Sequence, residues 1–158
     1  MTREMLGSGA LRALSRDARL ALDRIMIEHM SQGGCENGRL KVTWRDFEAY
    51  GIRRGGIAKA IAELVAVGLI TVEKSGRRRQ SAEDIGEAAE YRLAWLPVGT
   101  PVNIVYPANQ WKRFGEDVVA AKQAVSAVCP KRPLSPKRAA HIARLGDRLA
   151  ARALPGKI

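Results

Sequence analysis

Residues 37–72 read NGRLKVTWRDFEAYGIRRGGIAKAIAELVAVGLITV, and the punctuation of this stretch sets the order of its elements. Leu40, Lys41 and Val42 make a short apolar-polar-apolar step. Thr43 follows, a residue whose hydroxyl can cap a helix, with Asp46 three positions on at the capping-box site. The helix this predicts, Trp44 to Tyr50, is short. Gly51 suits the left-handed residue that closes a helix, and a new helical period starts almost at once, with Ile57, Ile61, Leu64 and Val65 on one face. That helix ends at Gly68, after which Leu69 to Lys74 reads as a strand.

Outward from this stretch, Ser15 is a good N-cap for a helix reaching about Met30, on which Ala18, Leu22, Ile25, Met26 and His29 recur at helical spacing. SQGGCENG ends it. Downstream, Tyr91, Leu93 and Trp95 alternate with Arg92 and Ala94, so Glu90 to Leu96 is a second strand, expected to pair with Leu69 to Lys74 as an antiparallel hairpin. Pro97, Gly99, Pro101 and Pro107 break periodicity after Trp95 and set a boundary near residue 98.

The predicted order is helix, short strand, helix, tight turn, helix, strand, long loop, strand. Together with AIAELVAVGLITV (60–72), GRRR (76–79) and EYRLAWLP (90–97), it resembles the winged helix-turn-helix domains of small bacterial regulators and replication proteins, including plasmid- and phage-borne ones. The resemblance covers about residues 15–97. It implies a mainly α fold with a small antiparallel β-hairpin, a winged helix-turn-helix followed by C-terminal helices. It also implies DNA binding through helix 53–68 and the wing 75–89, by homodimers or by modules within larger initiators.

Particular residues are candidates for those contacts. With Ile57 at zero and 100° per residue, Gly55, Lys59, Ala62, Glu63 and Ala66 fall opposite the apolar stripe. Arg53 and Arg54 stand at the helix start, where arginine can grip guanine O6 and N7 with two hydrogen bonds. Gly55 and Gly56 lack side chains and would let helix amides approach a phosphate, although a loose turn is the blander use. Thr43 and Arg45 open the preceding helix, where a backbone contact is expected, with capping the commoner role of the threonine. Arg77, Arg78 and Arg79 begin the wing and can neutralise phosphates or enter a minor groove. The second half of that loop is acidic, with Glu83, Asp84, Glu87 and Glu90, which either fold back on the arginines or keep the loop solvated.

Residues 98–158 carry 11 Lys/Arg against 3 Asp/Glu and form a basic helical extension. Asn109 can cap a helix at about 109–128, in which Trp111, Phe114, Val118, Ala121, Val125 and Val128 follow helical spacing. This stripe covers either the body of the same chain or its counterpart in a second subunit. Ser135 and Pro136 open a last helix to about 154, where Lys137, Arg138, His141, Arg144, Arg148 and Arg152 crowd one side. Such a face serves nucleic-acid backbone, a homodimer contact or, least of the three, an anionic membrane surface, since no aromatic anchors its apolar strip.

The whole chain of 158 residues has a formal charge of +11, which favours a polyanionic partner. With 46% apolar residues it can bury a core, while its longest apolar stretch, Leu64 to Val72, is far short of a membrane span. The N-terminus has no signal-like apolar region, so a cytoplasmic, nucleoid-associated location is expected. Cys35 and Cys129 show neither disulfide nor zinc spacing, and the two histidines lack matched catalytic partners. Nucleotide-binding and zinc-protease signatures are missing. The expectation is therefore a double-stranded DNA-binding protein, a transcriptional regulator, without enzymatic activity, cofactor or metal. The alternatives are a plasmid or phage replication or partition accessory protein, and a winged-helix protein adaptor with a basic nucleic-acid-binding tail.

Overall fold

The structure is a computed structural model and describes residues 1–77, 87–100 and 103–129. The described chain is mixed α/β. Two short helices, α1 (Arg3–Gly7) and α2 (Gly9–Arg12), precede α3 (Arg16–Ser31), β1 (Leu40–Val42), α4 (Trp44–Ala49), α5 (Arg54–Ala66), β2 (Ile70–Lys74) and β3 (Ala89–Leu93). A small hairpin, β4 (Val98–Thr100) and β5 (Asn103–Val105), a 3₁₀ turn (Gln110–Phe114) and α6 (Val118–Val128) complete it. The order from α3 to β3 is the one expected.

Local chemistry explains most boundaries. The Ser15 hydroxyl accepts the Ala18 N–H at the start of α3, and Thr43 and Asp46 form a reciprocal capping box at the start of α4. Gly51 at φ +97° and Gly68 at φ +72° terminate α4 and α5 in conformations that a Cβ would oppose. At Gly68 a Cβ would also press on Gln110 of the 3₁₀ turn, so this glycine serves packing as well as turning.

The strands form one three-stranded antiparallel sheet in the order β1-β3-β2 rather than a bare hairpin. Leu40 lies opposite Tyr91 on one side of β3, and Val72 opposite Tyr91 on the other. β3 stops at Leu93, short of the expected Leu96, because the chain turns there and the Leu96 N–H bonds back to the Leu93 carbonyl. Continuing the β1 register, residue 38 would face Leu93, but Gly38 turns away at φ +97°. The Asn37 side chain takes over the pairing: its Oδ1 accepts from the Leu93 N–H (2.8 Å), and its Nδ2, 3.1 Å from each of the carbonyls of Leu93, Leu96 and Pro97, shares its two N–H groups among them. A side-chain amide thus stands in for a missing peptide group.

The core joins Ala18, Leu22 and Ile25 of α3, Phe47 of α4, Ile57 and Leu64 of α5, and Leu40, Tyr91 and Leu93 of the sheet. Each of the larger side chains contributes roughly 1.5–3 kcal/mol by leaving water. Phe47 meets Tyr91 edge to face at 6.0 Å, and burial pushes the Tyr91 hydroxyl up to about 12.

The expected continuous helix at 109–128 is corrected. Asn109 adopts φ +48° and does not cap, its Oδ1 accepting instead from Trp111 Nε1. Gly115, also at φ +48°, breaks the chain after the 3₁₀ turn. Asp117 then caps α6 by accepting from the Val119 and Ala120 N–H groups. Of the two surfaces open to its apolar stripe, the described residues use the body of the same chain. Trp111 joins the core and α6 packs against α2 and α5, with the Gly9 N–H donating to the Gly115 carbonyl at 2.7 Å.

Candidate nucleic-acid interface

The surface of interest begins where α4 turns into α5. Thr43 is spent on its own helix: its hydroxyl accepts from the Asp46 N–H (3.2 Å) and its oxygen lies 2.6 Å from Asp46 Oδ2, to which its proton goes. That hydrogen bond is the main reason the Asp46 carboxyl sits below its ordinary range, and it leaves Thr43 no proton for a phosphate. Arg45, two residues on in the first turn of α4, is exposed.

Arg53 is the N-cap of α5 and makes no side-chain capping bond; it is exposed, with no ion pair to a described residue. Arg54 differs. Its Nη1 lies 3.3 and 3.4 Å from the two carboxylate oxygens of Glu48, and its guanidinium stands 5.9 Å from the centre of the Trp44 ring, itself 43% exposed. α4 therefore holds one of the two arginines from behind and leaves the other loose.

The two glycines after them separate in the same way. A Cβ on Gly55 would meet nothing within 4 Å, whereas one on Gly56 would lie 2.9 Å from Asp17 Oδ2. Gly56 thus makes room for the first turn of α3, and only Gly55 leaves backbone open to an incoming molecule.

Lys59 is exposed, but Glu63, one turn on, is not. Expected on the outer side, Glu63 is only 2% exposed: its Oε2 accepts the Ser15 N–H at 2.9 Å, and its Oε1 lies 3.9 Å from Lys59 Nζ. The wheel position is right for the flank of α5, yet the N-terminus of α3 covers that flank and offers an unsatisfied amide and the positive end of its dipole. Further along, Arg113 Nη2 donates to the Ala66 carbonyl at 2.6 Å, so the C-terminal end of α5 is capped by the segment leading to α6. The open face of α5 is what remains: Arg54, Gly55, Ala58 and Lys59, with Ala62 half-buried and Val65 exposed beyond them.

At the base of the β2–β3 arm, Lys74 pairs with Glu87 at 3.0 Å, which raises the lysine pKa, and Arg77 and Glu87 form an antiparallel bridge. Of the loop carboxylates, Glu87 folds back on the arm in this way. Thr71, Glu73 and Arg92 link across the two strands, with Arg92 Nε 3.0 Å from both Thr71 Oγ1 and Glu73 Oε1. Arg78, Arg79, Glu83 and Asp84 lie outside the described residues, as do Lys137, Arg138, His141, Arg144, Arg148 and Arg152.

No family model, curated protein or solved structure matches the chain. The chemistry of this surface therefore carries the functional conclusion alone.

Among the described residues no group of His, Cys, Asp and Glu could hold a metal ion, and no helix is long and apolar enough to cross a membrane. His29 Nδ1 is buried and has no hydrogen-bond partner among the described residues, and burial lowers the histidine pKa, favouring the neutral ring. From the sequence Trp44 reads as a core or interface anchor, and Glu48 is not singled out; the structure leaves Trp44 43% exposed against Arg54. Their only signal was a tryptophan at the first position of a helix and a carboxylate six residues ahead of an arginine across a turn.

Proposed function

We propose that this protein is a winged helix-turn-helix protein that binds double-stranded DNA through the N-terminal half of α5 and the β2–β3 arm, and acts as a transcriptional regulator. The observation that carries this reading is the sorting of charge on α5. Its one acid, Glu63, is buried, while Arg53, Arg54 and Lys59 are exposed, as is Arg45 of α4; Glu48 pairs with Arg54, and Asp17 of α3 lies beside Gly56. The helix–turn–helix of α4 and α5, followed by a sheet in which β1 pairs on the far side of β3 from β2, is in keeping with that fold. The net charge of +11 adds the long-range attraction that nucleic-acid phosphates require.

Fluorescence anisotropy with a labelled duplex, repeated at several salt concentrations, tests the proposal. Binding should weaken steeply with salt, by roughly 0.9 in logarithmic slope for each phosphate neutralised. Arg53→Ala with Arg54→Ala should weaken it further. Failure to bind duplex at low salt would remove the proposal.

A second reading draws on the small size of the side chains beyond Lys59. Ala58, Ala62 and Val65 give α5 a smooth apolar outer edge, which suits a protein partner, leaving residues 130–158 to bind the polyanion. Removal of residues 134–158 separates the two. Loss of duplex binding on truncation, together with indifference to the two arginine substitutions, would favour the adaptor. A replication or partition role is a variant of the first reading with the same contacts.

A further inference from the structure

Two adjacent arginines open α5, and the structure treats them differently. Resting on the DNA-binding reading above, we propose that they divide the work: Arg54, held by Glu48 and Trp44, reads a base edge, and Arg53 neutralises backbone phosphate. Glu48 and Trp44 are then positioning residues.

The argument starts from what base readout demands. Guanine presents O6 and N7 at fixed spacing in the major groove, and a bidentate contact needs two N–H groups of one guanidinium aimed together. An unrestrained arginine has many rotamers and loses that freedom on binding. A phosphate is less exacting, being met from many directions by a flexible cation. A base-reading arginine therefore gains from being held, and a phosphate-binding one does not.

Arg54 has such a hold from two directions. Glu48 engages Nη1 alone, through both carboxylate oxygens, and the Trp44 ring lies under the guanidinium. Among the described residues nothing takes Nε–H or Nη2–H, which form one edge of the plane and have the spacing a guanine edge accepts. Arg53, by contrast, is exposed and unheld by any described side chain. Glu48 also explains why Arg54 would be a poor phosphate ligand: its carboxylate repels the same anion that the arginine attracts. Against a base edge, which carries no net charge, that repulsion falls away and the orienting effect remains.

The experiment uses the full-length chain. A duplex library with a randomised core is selected on the wild type, and affinities are then measured for the selected duplex and a scrambled duplex of equal composition across a salt series. Arg54→Lys keeps the charge but loses the planar pair of donors. It should lower the selected-to-scrambled affinity ratio by roughly tenfold or more while leaving the salt slope nearly unchanged. Arg53→Ala should weaken both duplexes alike and reduce the slope by about one. Glu48→Gln should tighten the scrambled duplex by removing a negative charge, yet lower the ratio roughly threefold, since an exposed ion pair holds its partner only modestly.

Arg53 and Arg54 are exposed and Glu48 is half-buried, and circular dichroism melts of each variant check that the fold is kept. If Arg54→Lys leaves the ratio intact, or Glu48→Gln tightens both duplexes equally, the division of labour is overturned. If the wild type binds every duplex alike and no sequence is selected, base readout is overturned while DNA binding stands. If it binds none, the DNA-binding reading itself falls.

Discussion

Replacing Asn37 tests whether a single buried amide completes the sheet. Its amide makes a peptide-like pair with Leu93, whose N–H and C=O both point to the side that β1 no longer reaches, and Leu93 is buried. In Asn37→Ala the Leu93 N–H loses its partner, while the Leu93 carbonyl keeps the Leu96 N–H. The carbonyls of Leu96 and Pro97, closer to solvent, lose one they can replace with water. With an unsatisfied buried group costing roughly 1–3 kcal/mol, the expected loss is about 2 kcal/mol. That is a large share of the roughly 5–15 kcal/mol that holds a domain together. Urea unfolding followed by circular dichroism should show the midpoint falling with little change in slope. Asn37→Asp keeps the shape and the oxygen facing the Leu93 N–H but turns a second oxygen toward three carbonyls, so its carboxyl should stay protonated in the folded chain. A folded pKa raised in this way gives stability that is present below the unfolded value near about 3.9 and lost as pH rises through the folded one. The aspartate variant should therefore approach the wild type at acid pH and fall away toward neutrality. A loss below about 1 kcal/mol in the alanine variant, or an aspartate variant indifferent to pH, would refute the reasoning.

Other substitutions probe the interface and its support. Gly55→Ala puts a methyl into open space at the start of α5, so it should raise stability by about 0.5 kcal/mol while weakening duplex binding severalfold; undiminished binding would show that backbone does not approach DNA there. Glu63→Ala removes the acceptor for the Ser15 N–H and should lower stability by about 2 kcal/mol in thermal melts, whereas Glu63→Gln, which keeps an acceptor, should cost less than half of that. Thr43→Ala should cost about 1 kcal/mol at neutral pH through loss of the α4 cap. It should also flatten the acid limb. Asp46, held below its ordinary value by Thr43, contributes stability present above the unfolded pKa and lost as pH falls through the folded one, so acid titration of both proteins should converge at low pH.

Elements whose causes are local in the chain could be read directly from it. Ser15, the Thr43–Asp46 pair, Gly51 and Gly68 act on residues within a turn of themselves, and the helices they bound stand within a residue or two of expectation. What escaped depends on distant partners. Glu63 looked solvent-facing because its acceptor role is set by Ser15, 48 positions earlier. Asn37 looked like part of a polar turn, and only the pairing of β1 with β3 reveals the gap it fills. The break between the 3₁₀ turn and α6 was hidden because Trp111, Phe114, Val118 and Ala121 keep helical spacing across Gly115. At the interface, the arginines were visible by composition, but the difference between Arg53 and Arg54 needs the neighbouring helix.

The way α5 is anchored bears on how such a protein could change its target. The inner flank is committed through Glu63 and Ser15, and the rear end through Arg113 and the Ala66 carbonyl. Positions 53, 54, 55 and 58 have none of these structural duties and project from a frame that holds without them, whereas Lys59 is also the charge partner of Glu63. Substitutions there alter the outward chemistry at little thermodynamic risk. Descendants of this chain can therefore diversify their binding preference residue by residue while the scaffold behind stays constant, with Glu48 and Trp44 changing in step with whatever replaces Arg54.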